Sequence, residues 1–144
     1  MKIYRKSLLT LISILSLLVL FLPGAAKAQQ SGITRTDLQR HDISVAGYEA
    51  IQVRVDFKPG IEFGLHAHFG EEIIYVLEGI LEYDIEGNPP VKLKAGDVFF
   101  VPAGKYHSAK NIGNNNAAEL ATYIVEKGKQ ILVMKEQDHS KNKL

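Results

Sequence analysis

Three histidines and one glutamate are spaced so that a single metal ion could bind all of them. His66, His68 and Glu72 lie in one short segment and His107 lies in a second, and these segments hold three of the chain's five histidines. Imidazole nitrogens and carboxylate oxygens together suit Mn, Fe, Ni, Cu and Zn, so the residue types do not choose among these metals. The sequence therefore predicts one divalent transition metal with these four side chains as its ligands.

Strand geometry explains how the first three ligands could share one ion. Side chains two positions apart on a strand point to the same face, as those of His66 and His68 would. Glu72 has the same parity if that strand continues, whereas Glu71 has the opposite parity. A bulge at Gly70 would break this register, so the parity argument depends on a continuous strand.

The fourth ligand, His107, has to come from a second strand. Pro102, Ala103 and Gly104 form a turn that could deliver it. A set of four protein ligands leaves an octahedral metal with open positions for water, dioxygen or a bidentate substrate. A zinc ion would instead be tetrahedral and full, or would expand its coordination to admit water.

The spacing of the two segments resembles the two-part signature of the cupin superfamily. The first part is Gly60, five residues, His66, one, His68, three, Glu72, six and Gly79, and the second is Gly96, five, Pro102, one, Gly104, two, His107, three and Asn111. All ten fixed positions are present, and the motif spacing independently selects Glu72. The resemblance implies a small jelly-roll-like β-barrel of the all-β class that holds one divalent metal, often as a dimer. It implies no reaction, because cupins include dioxygenases, isomerases, decarboxylases, sugar-binding regulators and storage proteins.

The hydrophobic pattern agrees with an all-β fold. Apolar residues alternate from Tyr48 to Phe57, which predicts a half-buried strand, and the unbroken run from Ile73 to Leu77 predicts a strand buried on both faces. Further strands are predicted at Leu81 to Ile85, Val91 to Leu93, Val98 to Val101, Glu119 to Glu126 and Gln130 to Met134. No segment has a convincing helical stripe, and short strands separated by turns are typical of a barrel or sandwich.

Residues 1–28 have the features of a secretory signal peptide. A basic start precedes an apolar run from Ser7 to Leu22, and small residues follow at Ala26 and Ala28, which predicts cleavage before Gln29. A retained membrane anchor is the alternative, but the run is about 15 residues and a span needs roughly 20. The protein is therefore expected to be exported, to the periplasm or as a secreted protein. With no cysteine, it forms no disulfide.

The remaining chain is divided into three parts. Residues 29–47 form an N-terminal arm, in which a short helical turn could start at Thr36, residues 48–134 form the barrel domain, and residues 135–144 form a polar tail. Removing the four basic residues of the signal peptide from the chain's 17 leaves 13 basic against 16 acidic residues, a net charge of −3. This charge argues against nucleic acid as a partner, and no long charge run indicates a membrane surface. Open strand edges favour a homodimer.

The surroundings of the metal are poorly marked in the sequence. Ile74 and Val76 share the parity of Glu72, so the wall beyond the metal is predicted to be apolar. No second carboxylate or lysine has to lie beside the metal as a general base, and Arg54 is predicted to face outward. This pattern favours a small, partly apolar ligand.

Other notable side chains are assigned structural roles. Six aromatic residues are predicted to be mostly in the core: Phe69, Tyr75, Phe99, Phe100, Tyr106 and Tyr123. Tyr106 is the one that could line the site. Asn111 is predicted to hold a turn, and His41 and His139 are not expected to bind the metal. The fixed glycines are predicted to need a positive φ or a close backbone approach.

Two main functions are compatible with this sequence, and it leaves open whether the protein is an enzyme. The first is a metal-dependent enzyme, oxygenase-like, acting on a small organic molecule, and it rests on the complete ligand set and the open metal positions. The alternative is a non-catalytic metal-dependent binding or sensor protein outside the cytoplasm, favoured by the sparse acid–base groups. A third is a barrel in which the metal mainly stabilises the fold.

Overall fold

The computed structural model describes residues 30–135, which form ten β-strands. The strands are β1 (Ile33–Asp42), β2 (Tyr48–Phe57), β3 (Glu62–Ala67), β4 (Glu71–Glu78), β5 (Ile80–Ile85), β6 (Val91–Lys94), β7 (Val98–Val101), β8 (His107–Asn111), β9 (Ala117–Glu126) and β10 (Val133–Met134). Sheet A has the strand order β1-β2-β9-β4-β7, and sheet B has the order β10-β3-β8-β5-β6. The chain crosses repeatedly between the two antiparallel sheets, so the predicted all-β, jelly-roll-like fold is confirmed.

Several predicted segments lie outside the described residues. They are the signal peptide at residues 1–28, His139, and all of the polar tail except its first residue, Lys135. Between residues 30 and 135, no helix has the length and apolar character needed to cross a membrane.

The core lies between the sheets, and β2 shows how the sequence pattern builds it. The inward side chains of β2 are Ile51, Val53, Val55 and Phe57, each at most 3% exposed. Burying an aliphatic or aromatic side chain of this size contributes about 1.5–3 kcal/mol. Arg54 faces outward, as predicted, and its guanidinium contacts Asp56 at 2.7 Å and Glu78 at 2.8 Å.

The prediction that β4 is buried on both faces is wrong. Ile74 and Val76 are fully buried, but the alternate side chains are exposed to between 37% and 45%. These side chains lie on the outer surface of sheet A, where β7 places two more apolar residues directly beside them. We call this surface the outer apolar patch; it consists of Ile73, Tyr75, Leu77, Val98 and Phe100. An unbroken apolar run predicts a strand but does not reveal how many of its faces are covered.

The N-terminal arm contributes an edge strand and has no helical turn. Ile33–Asp42 pairs along its length with β2, with one irregularity between Asp37 and Gln39. The segment is mostly polar, so its conformation is set by backbone pairing with β2 and little by its own side chains. Ile33 is buried at one end of the core, and Arg35 lies opposite Val55 of β2.

The aromatic residues divide between the core and the surface. Tyr123 is 1% exposed, and Phe99 is partly buried against the core, both as predicted. Phe69, Tyr75 and Phe100 are between 45% and 57% exposed, so their assignment to the core is wrong. Tyr106 is half-buried and lies under the ammonium group of Lys135, 4.9 Å from its ring centre.

The turn residues of the two motifs behave as the sequence predicts. Gly60, Gly79, Gly96 and Gly104 all have φ between 72° and 92°. Asn111 is fully buried, and its side-chain amide donates to the carbonyl oxygen of Asn115 at 2.8 Å while its own oxygen accepts from the Gly113 amide at 2.9 Å. Asn111 therefore holds the loop that follows β8.

Candidate metal centre

The four predicted ligands meet in the barrel interior from both sheets. His66 is in β3, His68 lies just after the end of β3, and His107 is the first residue of β8, all on the side of sheet B. Glu72 is in β4 and belongs to sheet A. His41 is exposed on β1 and takes no part in this cluster.

Glu72 faces the three histidines, but not through the continuous strand on which the parity prediction depended. Between His68 and Glu72 the chain leaves sheet B and enters sheet A, so the two residues are not on one continuous strand. The crossing passes Gly70, where a Cβ atom would lie only 1.9 Å from the carbonyl oxygen of Ile124. Only glycine fits this close backbone approach. The crossing at Gly70 brings the chain into sheet A in a position where Glu72 faces the histidines.

The side chains of the cluster are close together and out of contact with water. One ring nitrogen from each of His66, His68 and His107 lies within 4.8 Å of the others. The Oε2 atom of Glu72 is 3.3 Å from Nε2 of His68 and 3.1 Å from Nε2 of His107. All four residues are at most 5% exposed. The structure thus brings together the complete set that the sequence singled out.

Backbone carbonyl groups fix the orientation and the tautomer of all three rings. The hydrogen bonds are His66 Nδ1 to Gly64 O (2.8 Å), His68 Nδ1 to Ile131 O (2.5 Å) and His107 Nδ1 to Lys105 O (3.0 Å). A carbonyl oxygen can only accept a hydrogen bond, so each Nδ1 carries the hydrogen. In the neutral ring, each Nε2 then has a free lone pair, which is the arrangement commonly found in metal-binding histidines.

The inner ends of these side chains lack hydrogen-bond partners. Nε2 of His68, Nε2 of His107 and Oε2 of Glu72 are buried and unsatisfied among the described residues. In this tautomer all three atoms are acceptors and they face one another, an arrangement that is costly without a positive charge between them. Neutral imidazoles and a carboxylate are the donor set that divalent transition metals prefer, so the residues fit such an ion.

The protonation states support the same fit. Burial, together with the neighbouring His107 and His68, lowers the pKa of His66 to about 3. His66 is therefore neutral in the folded protein at ordinary pH. Burial would raise the pKa of Glu72, but a positive charge held at Nε2 of His107 and His68 outweighs burial and lowers it, so the carboxylate is ionised when a proton or a metal ion lies there.

A small polar cavity adjoins the cluster. Its volume is about 10 Å³, roughly enough for one water molecule. Besides His66 and Glu72, it is lined by Arg35, Val55, Phe57, Phe63, Tyr83, Ala109, Glu119 and Tyr123. Ile74 and Val76 face inward but pack into the core, and other strands supply a wall that combines apolar side chains such as Val55 and Phe63 with polar groups.

The cavity contains a second carboxylate that sequence reasoning missed. The hydroxyl of Tyr83 donates to Glu119 Oε2 at 2.5 Å. Burial raises the pKa of Glu119 to about 8, and the nearby charge of Glu72 acts in the same direction. Glu119 shares the inward parity of Ala121 and Tyr123 on β9, and this signal in the sequence could have identified it.

Tyr83 also lines a second, larger groove. It has a volume of about 460 Å³ and runs between β5, the turn before β6, and β7. Its lining includes Ile85, Phe99 and Phe100. The ring of Tyr83 is nearly parallel to that of His107, with 6.3 Å between ring centres and 17° between planes. Tyr83 therefore lines both the groove and the small cavity beside the cluster.

Comparison with known proteins places these features in a family. The profile described as "Cupin domain" matches residues 53–125, just over half of the chain. The chain is 41% identical to an oxalate-binding protein of Thermotoga maritima over 75 residues, which are 50% of this chain and 60% of that protein. It is 39% identical to dimethylsulfoniopropionate lyase DddQ of Ruegeria pomeroyi over 51 residues, which are 35% of this chain and 25% of the lyase. The chain thus spans less than two thirds of the length of either relative.

Solved structures agree with the profile match. A recombinant oxalate oxidase in complex with glycolate aligns with a TM-score of 0.60 and 25% identity, covering 74% of this chain and 57% of that one. A double-stranded β-helix protein of Klebsiella pneumoniae aligns with a TM-score of 0.62 and 20% identity, covering 76% of this chain and 89% of that one, and supports the fold alone. The profile match over half the chain, on a fold of this kind, shows that the chain belongs to the cupin domain family.

Proposed function

We propose that the protein binds one divalent transition metal through His66, His68, Glu72 and His107, and that the bound metal holds a small carboxylate molecule. The observation that carries this proposal is the group of three buried, unpartnered atoms: Nε2 of His68, Nε2 of His107 and Oε2 of Glu72. A single proton could satisfy one pair of these atoms, whereas one dication between them satisfies all three.

Each part of the site has a separate task in this proposal. The carbonyl groups of Gly64, Ile131 and Lys105 hold the three rings with Nε2 facing inward. Glu72 supplies the one negative charge, so a dication would keep a net positive charge that attracts anions. When bound, such a metal offers open coordination positions that polarise and orient the oxygen atoms of a ligand.

A small carboxylate suits both the relatives and the cavity. The Thermotoga maritima relative is an oxalate-binding protein, and the aligned oxalate oxidase is in complex with glycolate. The cavity beside the cluster is polar, with the tyrosine hydroxyls of Tyr83 and Tyr123 and the guanidinium of Arg35 on its wall. These groups suit an oxygen-rich anion better than the partly apolar ligand expected from sequence.

Turnover of the bound molecule is the second candidate function. The Tyr83–Glu119 pair favours it, because a buried carboxyl group with a pKa of about 8 can hold or release a proton near neutral pH beside the metal site. The protein would then be a metal-dependent enzyme, oxygenase-like or of another class, acting on the same ligand.

Metal analysis followed by ligand titration tests the proposal. Protein is purified from its native compartment, its metal content is measured, and metal-free protein is then reloaded separately with Mn, Fe, Ni, Cu and Zn. We expect one metal per chain, and binding of oxalate or glycolate by calorimetry only in a loaded form. A dioxygen-uptake assay and a product assay on the same samples separate binding from turnover. A protein that binds none of the five metals would overturn the proposal.

The outer apolar patch supports the proposal of a homodimer. Its five side chains are exposed on adjacent strands, and a contiguous apolar surface of this kind is typical of an interface. The patch contains no charged side chain, so two copies can face one another through it without like-charge repulsion. A second copy of this chain is therefore the proposed occupant.

Export remains a proposal that rests on residues 1–28. The basic start, the apolar run and the small residues before Gln29 support removal of this segment by a signal peptidase. Intact-mass analysis of protein from the periplasm or the medium tests it, and a mass that includes the residues before Gln29 would contradict it.

A further inference from the structure

Arg35 extends from the edge strand β1 to the cavity beside the candidate metal site. It lies opposite Val55 of β2, in register with the inward-facing residues of that strand. Both terminal nitrogens of its guanidinium are 3.4 Å from the hydroxyl oxygen of Tyr123, and its central carbon lies 5.8 Å from the centre of that ring. Among the described residues that line the cavity, Arg35 is the only permanently charged cation.

The guanidinium of Arg35 has no carboxylate partner among the described residues. The other arginines of the described strands do have such partners: Arg40 pairs with Glu49 at 3.3 Å, and Arg54 pairs with Asp56 and Glu78. The hydrogen bonds of Arg35 go only to the neutral hydroxyl of Tyr123, and its charge also acts on Glu119, which lines the same cavity without forming a salt bridge with it. A half-buried arginine without a counter-ion keeps its planar set of donors available, and this set matches the two oxygens of a carboxylate.

Arg35 also stands where the cavity meets solvent. The nine other lining residues are all buried, whereas Arg35 is partly exposed. The cavity has a volume of about 10 Å³, which leaves room for roughly one water molecule. A larger molecule that enters from this side has to displace the guanidinium from Tyr123 and then lies against it.

The charges of the site set the preferred charge of that molecule. With neutral imidazoles and a protonated Glu119, a divalent metal and the carboxylate of Glu72 leave a net charge of roughly +1, and Arg35 raises it to roughly +2. A small dicarboxylate neutralises both charges if one carboxylate reaches the metal and the other meets the guanidinium. A monocarboxylate of the same size neutralises only one.

We infer that Arg35 is the specificity-determining residue of this site, selecting small dicarboxylate anions over monoanions by pairing with the carboxylate that the metal does not hold. This inference rests on the proposed function. It assigns to β1, which the sequence identified only as an arm, a direct part in ligand recognition.

The test compares oxalate with oxamate, in which an amide replaces one carboxylate and removes one negative charge at nearly constant size. Four proteins are loaded with Mn²⁺ and titrated with each ligand: wild type, Arg35→Met, Arg35→Lys and Arg40→Met. Arg40 lies on the same strand, but its side chain is 60% exposed and paired with Glu49, so its variant is the matched control. Metal content and melting temperature are measured for every protein, to show that each variant folds and binds the metal.

We expect Arg35→Met to lose affinity for oxalate selectively. Arg35→Met weakens oxalate binding by about tenfold or more and oxamate binding by less than about threefold. Arg35→Lys falls between Arg35→Met and wild type, and Arg40→Met matches wild type. Equal losses for the two ligands in Arg35→Met, or no loss, would overturn the inference while leaving metal-dependent binding intact. A wild-type protein that binds Mn²⁺ but neither ligand would overturn both the inference and the carboxylate proposal.

Discussion

The two faces of β4 have similar apolar composition and opposite surroundings. Toward sheet B, β4 presents Glu72, Ile74 and Val76, none more than 2% exposed. Toward the outside it presents Ile73 and Tyr75, each 45% exposed. The inner face is covered by a second sheet of the same chain, and the outer face is not. An apolar strand face therefore indicates a contact surface, which can be covered by the same chain or by another.

The largest expected effect concerns the two adjacent glutamates at the start of β4. Glu72→Gln should weaken metal binding on the order of a thousandfold, beyond the 10–100-fold loss typical of residues that only support a ligand. Glu71→Gln should change it less than about twofold, because Glu71 faces away from the histidines. Titration of metal-free protein with Mn²⁺ or Zn²⁺ measures the metal dissociation constant of each variant. Similar losses of affinity would show that Glu72 is not the glutamate that faces the metal.

The next prediction compares an inner and an outer isoleucine on β4. Ile74→Ala should lower the free energy of unfolding by about 2–5 kcal/mol, because it leaves a void in a fully buried position. Ile73→Ala should lower it by less than about 1 kcal/mol in the monomer. Urea unfolding of metal-free protein, at concentrations low enough to keep it monomeric, measures the difference. Comparable losses at the two positions would mean that the outer face is covered within the same chain.

A third prediction tests what covers the outer face. Tyr75→Glu places a charge in the centre of the outer apolar patch and should weaken dimerisation by about tenfold or more. Gln52→Glu, on the polar part of the same sheet surface, serves as the control and should leave dimerisation unchanged. Light scattering at micromolar concentration reports the oligomeric state. A wild-type protein that is monomeric under these conditions would contradict the proposal of a homodimer.

The smallest expected effect concerns pH and a carboxyl group on the inner face of sheet A. The folded protein raises the pKa of Glu119 from 4.5 to about 8, so between these values the folded state holds a proton that the unfolded chain has released. The stabilising contribution is complete below the unfolded pKa and is lost as the pH rises through 8. His66, whose pKa is lowered to about 3, acts in the opposite direction and offsets part of this loss. The metal-free protein should therefore be less stable at about pH 8 than at about pH 5.5, by a net difference of about 1–2 kcal/mol.

Glu119→Gln provides the control for the pH effect. Glutamine stays neutral and can still accept from Tyr83, so the variant should lose much of this slope while keeping its fold. Urea unfolding at several pH values measures the slope for both proteins. An unchanged slope in the variant would assign the effect to other groups.

The parts of the fold that follow from local pattern could be read from the sequence. β2 and β7 begin and end where alternation and apolar runs predicted, since flanking turns and buried side chains fix both limits. The four residues of the candidate metal site were found by spacing, because the signature records which positions of a folded barrel come together. The sequence could not supply the reason for Glu72, which depends on a crossing between sheets at Gly70.

The parts that depend on distant pairing were missed. β1 is a mostly polar strand whose conformation comes from pairing with β2, so neither propensity nor hydrophobic pattern indicated it. Because β1 was not recognised, the inward position of Arg35 was not either. Glu119 did carry a signal, in its parity with Tyr123, but a glutamate on an apolar strand face is visible as unusual only after the opposite sheet is known.

The hydrogen bond between His68 and the carbonyl of Ile131 has a consequence for the order in which the site can form. The two residues are 63 positions apart, and Ile131 lies between β9 and β10, after all the strands that contribute to the cluster. During synthesis, His66, His68, Glu72 and His107 all leave the ribosome before the segment that orients the His68 ring. A nascent chain that stops before Ile131 therefore has all four side chains but not the finished geometry. Comparing the metal retained by such truncated chains with that retained by the full chain would show whether the site becomes able to hold its metal before or after Ile131 is in place.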